Sequence, residues 1–336
     1  MKKLLLLLSA TVLICSCEDI FTPEEEGQGE YKEVPATSIK LDLNSITIHI
    51  LQKTETIVAT VEPSDATDRV FWESSDNKVA SVLDGVVTAR GIGSAVITAT
   101  AGEFQAECTV VVGPPNSEVP EGAVDLGIVV VYYYEENGYT YGLMYSLYWA
   151  DRNIGANAPE GYGNYYSWGE VETKSRYDWS TYKWGGKTSL TKYNYDPSYG
   201  SVDSKTLLDM GPDGDDVASK KLGGSWRIPT TDECRELCTQ CSWEWKSLNG
   251  VNGYRVTGPN GNSIFLPASG VKANIPNDDN TIFERGERGY YWTSCLVGGN
   301  KEPNFANAMD FSELNPGSWY SPQNRSTGLP VRAVAN

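Results

Sequence analysis

Residues that could act as nucleophiles or general bases are unevenly placed in this sequence. The only histidine among its 336 residues is His49, in a segment where apolar and polar residues alternate as on a half-buried strand. In Ser-His-Asp and Cys-His sites the serine or cysteine nucleophile needs a neighbouring histidine as its base. A Ser-His-Asp or Cys-His site, or an imidazole-bound zinc, is therefore excluded from the large C-terminal part of the chain. We expect His49 to be an outward-facing strand residue.

Four cysteines of the C-terminal part suggest a thiolate zinc site, a disulfide or a buried stripe. Cys234, Leu237, Cys238 and Cys241 follow one another at helical spacing, whereas Cys295 lies elsewhere. This spacing is typical of the apolar face of a helix. Structural zinc ligands normally come from loops, and residues on successive turns of one helix fit disulfide geometry badly. Buried free thiols are therefore favoured, while a disulfide to Cys295 and a metal site stay open.

Carboxylates form one notable cluster, a loop with glycines at 211 and 214. Hard oxygen ligands of this kind suit Ca²⁺, but the loop lacks the EF-hand spacing and its terminal Glu, so a solvated acidic loop is the alternative. Glycosidase chemistry needs only two carboxylates, and no pair stands out by its surroundings. We expect no enzymatic activity, with a carboxylate-based glycan hydrolase as the least favoured alternative. We expect no cofactor unless Ca²⁺ binds the loop aspartates Asp209, Asp213, Asp215 and Asp216.

Aromatic side chains are abundant, with 20 Tyr and 10 Trp. Their rings stack on sugars and offer large, rigid contact areas with polar tips. Most must belong to a core, and we expect Trp168, Trp226 and Trp292 to be buried. The chain is predicted to bind a glycan or a surface protein, and a structural subunit of a surface assembly with no soluble ligand is the alternative. The candidate ligand contacts are Tyr132, Tyr133, Tyr134, Tyr139, Trp179, Trp184, Tyr199, Trp319 and Tyr320.

The N-terminus has the features of an exported lipoprotein. Two lysines precede an apolar run at 4–14, which is too short to span a bilayer and is typical of a signal peptide. The run ends in Cys-Ser-Cys at 15–17, which resembles a bacterial lipobox with a small residue before the modified cysteine. An ordinary secretory peptide is the alternative. We predict a signal peptide at 1–16, lipid attachment at Cys17, and an outer-membrane anchor with the protein exposed at the cell surface.

The segment 17–35 is acidic, contains Gly and Pro, and is predicted to be a flexible tether. Its early acidic residues resemble the surface-export signal of Bacteroidetes lipoproteins, with a simple solvated tether as the alternative. Removal of residues 1–16, which carry two lysines and no acids, makes the net charge of −17 more negative by two. Such a chain is repelled by nucleic acid and by anionic headgroups. The expected partners are outer-membrane lipid through the acyl anchor and a glycan or surface protein, with no nucleic acid.

Residues 36–112 show short alternating segments separated by turns, which is the pattern of a β-sandwich with about seven strands. The motifs at 70–82 and 85–95, which include FWESSD, VASV, GVVTA and GIGSA, resemble the group 2 bacterial immunoglobulin-like (Ig-like) domain. In that family the module is usually a spacer or adhesive domain of surface proteins. The resemblance implies that Trp72 belongs to the sandwich core. A Pro- and Gly-containing linker is predicted at 113–122.

Two local signals define elements of the remaining chain, residues 123–336. Asn-Gly at 137–138 lies between β-rich runs and predicts a hairpin. Thr230 followed by Glu233 is a capping box, which predicts a helix ending near Gln240 or Cys241. Strands are predicted at 250–256, 264–268, 289–294 and 328–334.

The motifs of this region resemble the Fibrobacter major paralogous domain: DLG at 125–127, GNYYSWGE at 163–170, GGSWRIPT at 223–230, YWTS at 291–294 and LPVR at 329–332. The resemblance implies the C-type-lectin-like architecture of formylglycine-generating enzymes. Those enzymes need a pair of cysteines near the C-terminal cleft, whereas here Cys295 stands alone, so the resemblance does not imply the activity. The long aromatic hairpin at 128–148 departs from the family, and its tip is a candidate contact surface. The predicted fold is mostly β with two domains, an Ig-like β-sandwich followed by an α+β C-type-lectin-like domain with few helices.

Overall fold

The computed structural model describes residues 32–116, 118–273, 281–298 and 302–336. The predicted signal peptide, Cys17 and most of the tether lie outside the described residues. The chain is mostly β with few helices, as predicted. The first ten strands are β1 (Ser38–Leu41), β2 (Ser45–Ile48), β3 (Ile50–Leu51), β4 (Thr54–Thr56), β5 (Ala59–Glu62), β6 (Phe71–Ser74), β7 (Ala80–Leu83), β8 (Val86–Ala89), β9 (Gly93–Ala101) and β10 (Phe104–Val112).

These strands form an Ig-like sandwich. One sheet has the order β2-β10-β9-β6, a second has the order β4-β8-β7, and β1 pairs with β5. Alternate residues of β9 and β10 are buried in the core. Trp72 is partly buried and packs against this core, as the family resemblance implies. Gly85 has a φ of +79°, and a Cβ there would lie 2.5 Å from the Ile57 carbonyl oxygen and 3.1 Å from the Trp72 ring, so glycine is needed for this close approach.

The C-terminal domain has two described α-helices, α1 (Val217–Leu222) and α2 (Thr231–Gln240), and a 3₁₀ turn at Pro197–Tyr199. Its sheets have the orders β11-β12-β23, β15-β16-β17 and β20-β21-β22, beside the two short pairs β13-β14 and β18-β19. The strands are β11 (Ala123–Glu136), β12 (Tyr139–Ala150), β13 (Gly185–Gly186), β14 (Ser189–Leu190), β15 (Ser242–Leu248), β16 (Val251–Thr257), β17 (Ser263–Pro267), β18 (Val271–Lys272), β19 (Ile282–Phe283), β20 (Arg288–Leu296), β21 (Phe305–Ser312), β22 (Asn315–Asn324) and β23 (Val334–Ala335).

The last predicted strand needs a correction. Only Val334 and Ala335 pair with β12, and Leu329 forms a single bridge with Tyr166. Residues 328–335 are all buried, so this segment crosses the interior of the domain and is not a regular strand of a half-exposed sheet. Pro330 lacks an N–H donor, which also prevents continuous ladder bonding there.

Helix α2 begins at the predicted capping box. The Thr230 hydroxyl accepts from the Glu233 amide at 3.2 Å, and the Glu233 carboxylate accepts from the Thr230 amide at 2.8 Å. Glu233 is buried and also accepts bonds from both terminal nitrogens of Arg227 and from the Tyr145 hydroxyl. Burial alone would raise the pKa of Glu233, but Arg227 and these hydrogen bonds hold it below its ordinary value. The helix start is thereby tied to β12.

The cysteine stripe of α2 faces the core, in agreement with buried free thiols. Cys234 is fully buried and Cys238 and Cys241 pack against the same cluster. All described cysteines, including Cys295, are free. Burial raises the pKa of Cys238 and of Cys241 to about 12, so these thiols are protonated and poor nucleophiles or metal ligands at neutral pH.

The hairpin of β11 and β12 is shared by both domains. The even-numbered Ile128 and Val130 enter the C-terminal core. The odd-numbered Val129 and Val131, together with Met144 of β12, pack into the core of the Ig-like sandwich. Because side chains of a strand alternate between its two faces, one hairpin completes both cores.

A strand pairing fixes this junction. β3 of the Ig-like domain pairs with β12, with Leu51 opposite Gly142 and Ile50 opposite Leu143. The expectation for His49 was wrong, because it lies between β2 and β3 at this junction and is half-buried. Its Nδ1 is 2.8 Å from the Gly113 carbonyl oxygen.

Candidate binding surface at the hairpin tip

Beyond the two cores the hairpin continues as an exposed arm. Its turn is Asn137–Gly138, with φ of +52° and +78°, the backbone of the tight turn that Asn-Gly favours. Tyr132, Tyr133 and Tyr139 of this arm are 63%, 62% and 68% exposed. Four of the predicted ligand contacts, these three and the partly buried Tyr134, are therefore brought together here.

The arm has two different faces. Directly opposite residues share a face, so Tyr132 stands beside Leu143, and Tyr134 beside Tyr141 with ring centroids 5.6 Å apart. Tyr133 is opposite Gly142 and points to the other face, toward the Ig-like domain. A side chain at Gly142 would lie within 3.2 Å of both Leu51 and Tyr133, so its absence lets these residues pack closely.

One lysine of the Ig-like domain holds the arm. Lys53 Nζ lies 4.3 Å from the ring centre of Tyr141 and 3.3 Å from the Glu136 carboxylate. The hydrogen bond that Lys53 donates to the Glu136 carboxylate is the main cause that raises the pKa of Lys53. The ammonium therefore stays charged, and it orients the Tyr141 ring through a cation–π contact.

The structure corrects the expectation that Trp184 is exposed. It is partly buried against the domain core, and its Nε1 donates to the Gly169 carbonyl oxygen at 2.8 Å. The ammonium groups of Lys183 and Lys192 lie 4.2 and 5.0 Å from its ring centre. A ring occupied in this way is a poor platform for a ligand. Trp179 is also partly buried and packs edge-to-face on Tyr182, with centroids 5.3 Å apart.

The aspartate loop is engaged by lysines. Asp215 is buried and contacts Lys192 at 2.5 Å and Lys183 at 3.3 Å, and it accepts from the Tyr193 hydroxyl at 2.8 Å. Asp209 contacts Lys192 at 2.6 Å. The carboxylates of Asp209 and Asp215 are therefore already paired with cationic side chains of the protein.

Asp216 has a different role. One carboxylate oxygen accepts from the amides of Ala218 and Ser219 at the start of α1, and the other accepts from the Ile228 amide. Asp216 is thus a helix N-cap, while Asp213 is exposed. Within the described ranges no group of three or more His, Cys, Asp or Glu residues could hold a metal ion, so this geometry does not support the calcium interpretation.

Trp319, Tyr320 and Tyr199 lie on other elements of the C-terminal domain. Trp319 and Tyr320 are exposed on β22, where the Asn307 amide donates to the Trp319 carbonyl oxygen at 2.8 Å. Tyr199 is partly buried in the 3₁₀ turn. The pKa of its phenol is raised mainly by burial and to a smaller extent by a hydrogen bond with Glu302. These residues belong to the body of the C-terminal domain and not to the hairpin arm.

A groove between the arm and the Ig-like domain contains residues that the sequence does not single out. Gln52, Thr88 and Arg90 line its Ig-like side, opposite Tyr133 and Tyr139. They are 43 residues or more from Tyr133 in the sequence, and no local pattern links them to the hairpin, so the strand pairing of β3 with β12 brings them to the site.

Comparison with known families and structures identifies the N-terminal part. Residues 35–110 match the family model of the bacterial Ig-like domain (group 2), close to the predicted bounds. No match was found among curated proteins. The resemblance of residues 123–336 to the Fibrobacter major paralogous domain, with its lectin-like architecture, stays a prediction. In the part of the chain that the structure describes, no helix is long and apolar enough to cross a membrane.

Several solved structures show a weak similarity. The crystal structure of the S-layer protein rSbsC(31-844) is 17% identical over 33% of this chain and 22% of that chain, with a TM-score of 0.21. The structure of surface layer protein SbsC, domains 4-9, is 9% identical over 86% of this chain and 65% of that chain, with a TM-score of 0.21. This chain thus spans about a fifth of the first of these proteins, and TM-scores this low support no argument about fold or function. The family match is specific, and residues 35–110 form a group 2 bacterial Ig-like domain.

Proposed function

We propose that this chain is a lipid-anchored bacterial cell-surface protein that binds a glycan or a surface protein through the tyrosines of its hairpin arm. The observation that carries the proposal is the exposure of Tyr132, Tyr133 and Tyr139 on an arm whose base is buried in two domain cores. Large aromatic rings exposed together on a rigid element are typical of binding surfaces, because they bury much area at little entropic cost.

Binding suits this surface better than catalysis. The titratable groups of the arm are already paired, since Glu136 contacts Lys53 and Glu135 accepts from the Thr140 hydroxyl. General acid–base catalysis requires a carboxylate in a pocket that is free to exchange a proton with the substrate, and these two carboxylates already have partners. The only histidine contacts a backbone carbonyl at the domain junction. We therefore propose a binding role and no enzymatic activity.

The anchor rests on the N-terminal sequence. The apolar run and the Ser-Cys pair at 16–17 support lipid attachment at Cys17, and the acidic residues that follow support exposure at the cell surface. The tether and the Ig-like domain would then hold the hairpin arm away from the membrane.

Replacing Cys17 by serine should release the protein from the membrane, because no acyl chain can then be attached. After detergent phase separation of cells labelled with an alkyne fatty acid, the wild type should be labelled and enter the detergent phase. The variant should be unlabelled and stay in the aqueous phase. The matched control is Cys15→Ser, which should behave like the wild type. Labelling of the Cys17→Ser protein would contradict the assignment.

Binding should depend on the arm. The full chain is tested on arrays of immobilised glycans and of extracellular proteins, as wild type and as the triple variant Tyr132→Ala, Tyr133→Ala, Tyr139→Ala. We expect the variant to lose affinity by tenfold or more, since aromatic anchors of this kind dominate interface energies. The control replaces Trp319 and Tyr320, which are also exposed aromatics. Equal binding by the wild type and the triple variant would refute the role of the arm.

A structural subunit of a surface assembly is the second candidate. Phe71 on the outer strand β6 and Leu83 on the outer strand β7 are large apolar side chains in exposed positions. Exposed apolar residues on outer strands favour contact with a neighbouring molecule. Self-association of the purified chain in sedimentation, without binding on either array, would favour this candidate.

A further inference from the structure

The groove between the hairpin arm and the Ig-like domain has the size and walls of a ligand site. Its volume is about 540 Å³, within the range of small-ligand pockets, which occur preferentially at domain interfaces. One wall is formed by Gln52, Thr88 and Arg90 of the Ig-like domain. The other is formed by Tyr133, Tyr139 and Tyr141 of the arm.

The wall on the Ig-like side presents oriented polar groups. Arg90 donates from Nη1 to the Gln52 side-chain oxygen at 2.7 Å and from Nε to the Ser81 hydroxyl at 3.0 Å. These two bonds fix the plane of the guanidinium, which has further N–H donors. Gln52 has a φ of +67°, and its backbone N–H donates to the Ala89 carbonyl oxygen at 2.8 Å, while its side-chain oxygen accepts from Arg90. The two planar side chains are therefore held in place before any ligand binds.

The wall on the hairpin side is aromatic, and its Tyr141 ring is held by neighbouring side chains. Lys53 and Tyr134 both contact the Tyr141 ring, and Tyr133 lies over the space that Gly142 leaves open. The pairing of β3 with β12 sets the distance between the walls, because Leu51 stands opposite Gly142. A ligand would therefore meet a formed site and would not have to order a loop.

Tyrosine rings on one wall and planar amide and guanidinium groups on the other match one ligand class. A sugar ring has apolar C–H faces, which pack on aromatic rings, and neighbouring hydroxyls, which pair with planar donors and acceptors. The carboxylates of Glu135 and Glu136 at the tip and the net charge of −17 disfavour anionic sugars. We propose that this groove is a binding site for a neutral oligosaccharide. The proposal rests on the proposed binding function and assigns its ligand class and its place.

Adjacent tyrosines provide the test. Tyr133 and Tyr132 are equally exposed, but Tyr133 lines the groove whereas Tyr132 does not. The full chain is applied to an array of neutral oligosaccharides built from mannose, glucose, galactose and N-acetylhexosamines. The groove variants are Tyr133→Ala and Arg90→Ala, and Tyr132→Ala tests the adjacent tyrosine of the arm. The matched controls are Phe104→Ala and Arg69→Ala, at exposed residues outside the groove. Thermal unfolding of each variant confirms that it is folded.

We expect both groove variants to lose affinity by about tenfold or more, and both controls to stay within about twofold of the wild type. Loss in Tyr132→Ala with unchanged binding by the groove variants would overturn the groove and leave the binding function intact. The same variants are applied to the array of extracellular proteins. If the wild type binds only there and the groove variants lose that binding, the ligand class is overturned and a protein binds at this site. Failure of the wild type on every array would overturn both proposals.

Discussion

Met144→Ala is expected to lower the free energy of unfolding by about 2–5 kcal/mol, the usual range for emptying a buried methionine site. Met144 belongs to β12 of the C-terminal domain, yet it is 1% exposed within the core of the Ig-like domain. The substitution leaves a cavity between Val129, Val131 and the sandwich. Urea unfolding followed by tryptophan fluorescence measures the loss.

The neighbouring Leu143 provides the control for this prediction. It lies on the opposite face of β12 and is 44% exposed, so Leu143→Ala should change stability by no more than about 0.5 kcal/mol. Hydrogen exchange should show the same contrast, with faster exchange of the Ig-like strands β9 and β10 in Met144→Ala alone. If both substitutions have equally small effects, the hairpin does not complete the Ig-like core.

Arg332→Met is expected to destabilise the C-terminal domain by about 3–5 kcal/mol. Arg332 is fully buried, and its guanidinium donates to the Asn153 side-chain oxygen at 2.8 Å and to the carbonyl oxygens of Ala150 and Phe265 at 3.1 and 2.8 Å. Methionine has a similar length but no donors, so three buried oxygens lose their partner. Burial lowers the pKa of Arg332 to about 10, which still leaves it charged at neutral pH.

Arg152 is the matched control for Arg332. It is exposed, and its pairing with Asp151 at 2.6 Å contributes little because water screens the pair. Arg152→Met should therefore leave the urea midpoint almost unchanged, with an effect of no more than about 0.5 kcal/mol. If Arg332→Met and Arg152→Met unfold at the same urea concentration, the buried hydrogen bonds of Arg332 do not support the fold.

Features that depend on neighbouring residues were predictable from the sequence. The alternation in residues 36–112 predicts the strands of the Ig-like domain, and the Thr230–Glu233 pair predicts the start of α2. The Asn-Gly pair predicts the tight turn of the hairpin. These signals are local because they arise from backbone sterics and from hydrogen bonds across three or four residues.

Features that depend on distant residues could not be predicted in the same way. The acidic spacing of the 209–216 loop suggested Ca²⁺, but lysines 183 and 192 reach Asp215 only in the folded domain. The residues that flank Trp184 in the sequence have the composition of an exposed loop, yet its side chain packs on the core. Electrostatic pairing and burial are decided by which segments the fold brings together, and no short window contains that information.

Local sequence patterns predict the β-rich fold, an Ig-like domain at 36–112, the capped helix and the aromatic character of the hairpin. Tertiary structure alone decided that this hairpin completes two cores and forms a groove with the Ig-like domain. The physical reason is that strand alternation fixes which residues share a face, whereas the partner of each face is chosen by packing between segments far apart in the chain.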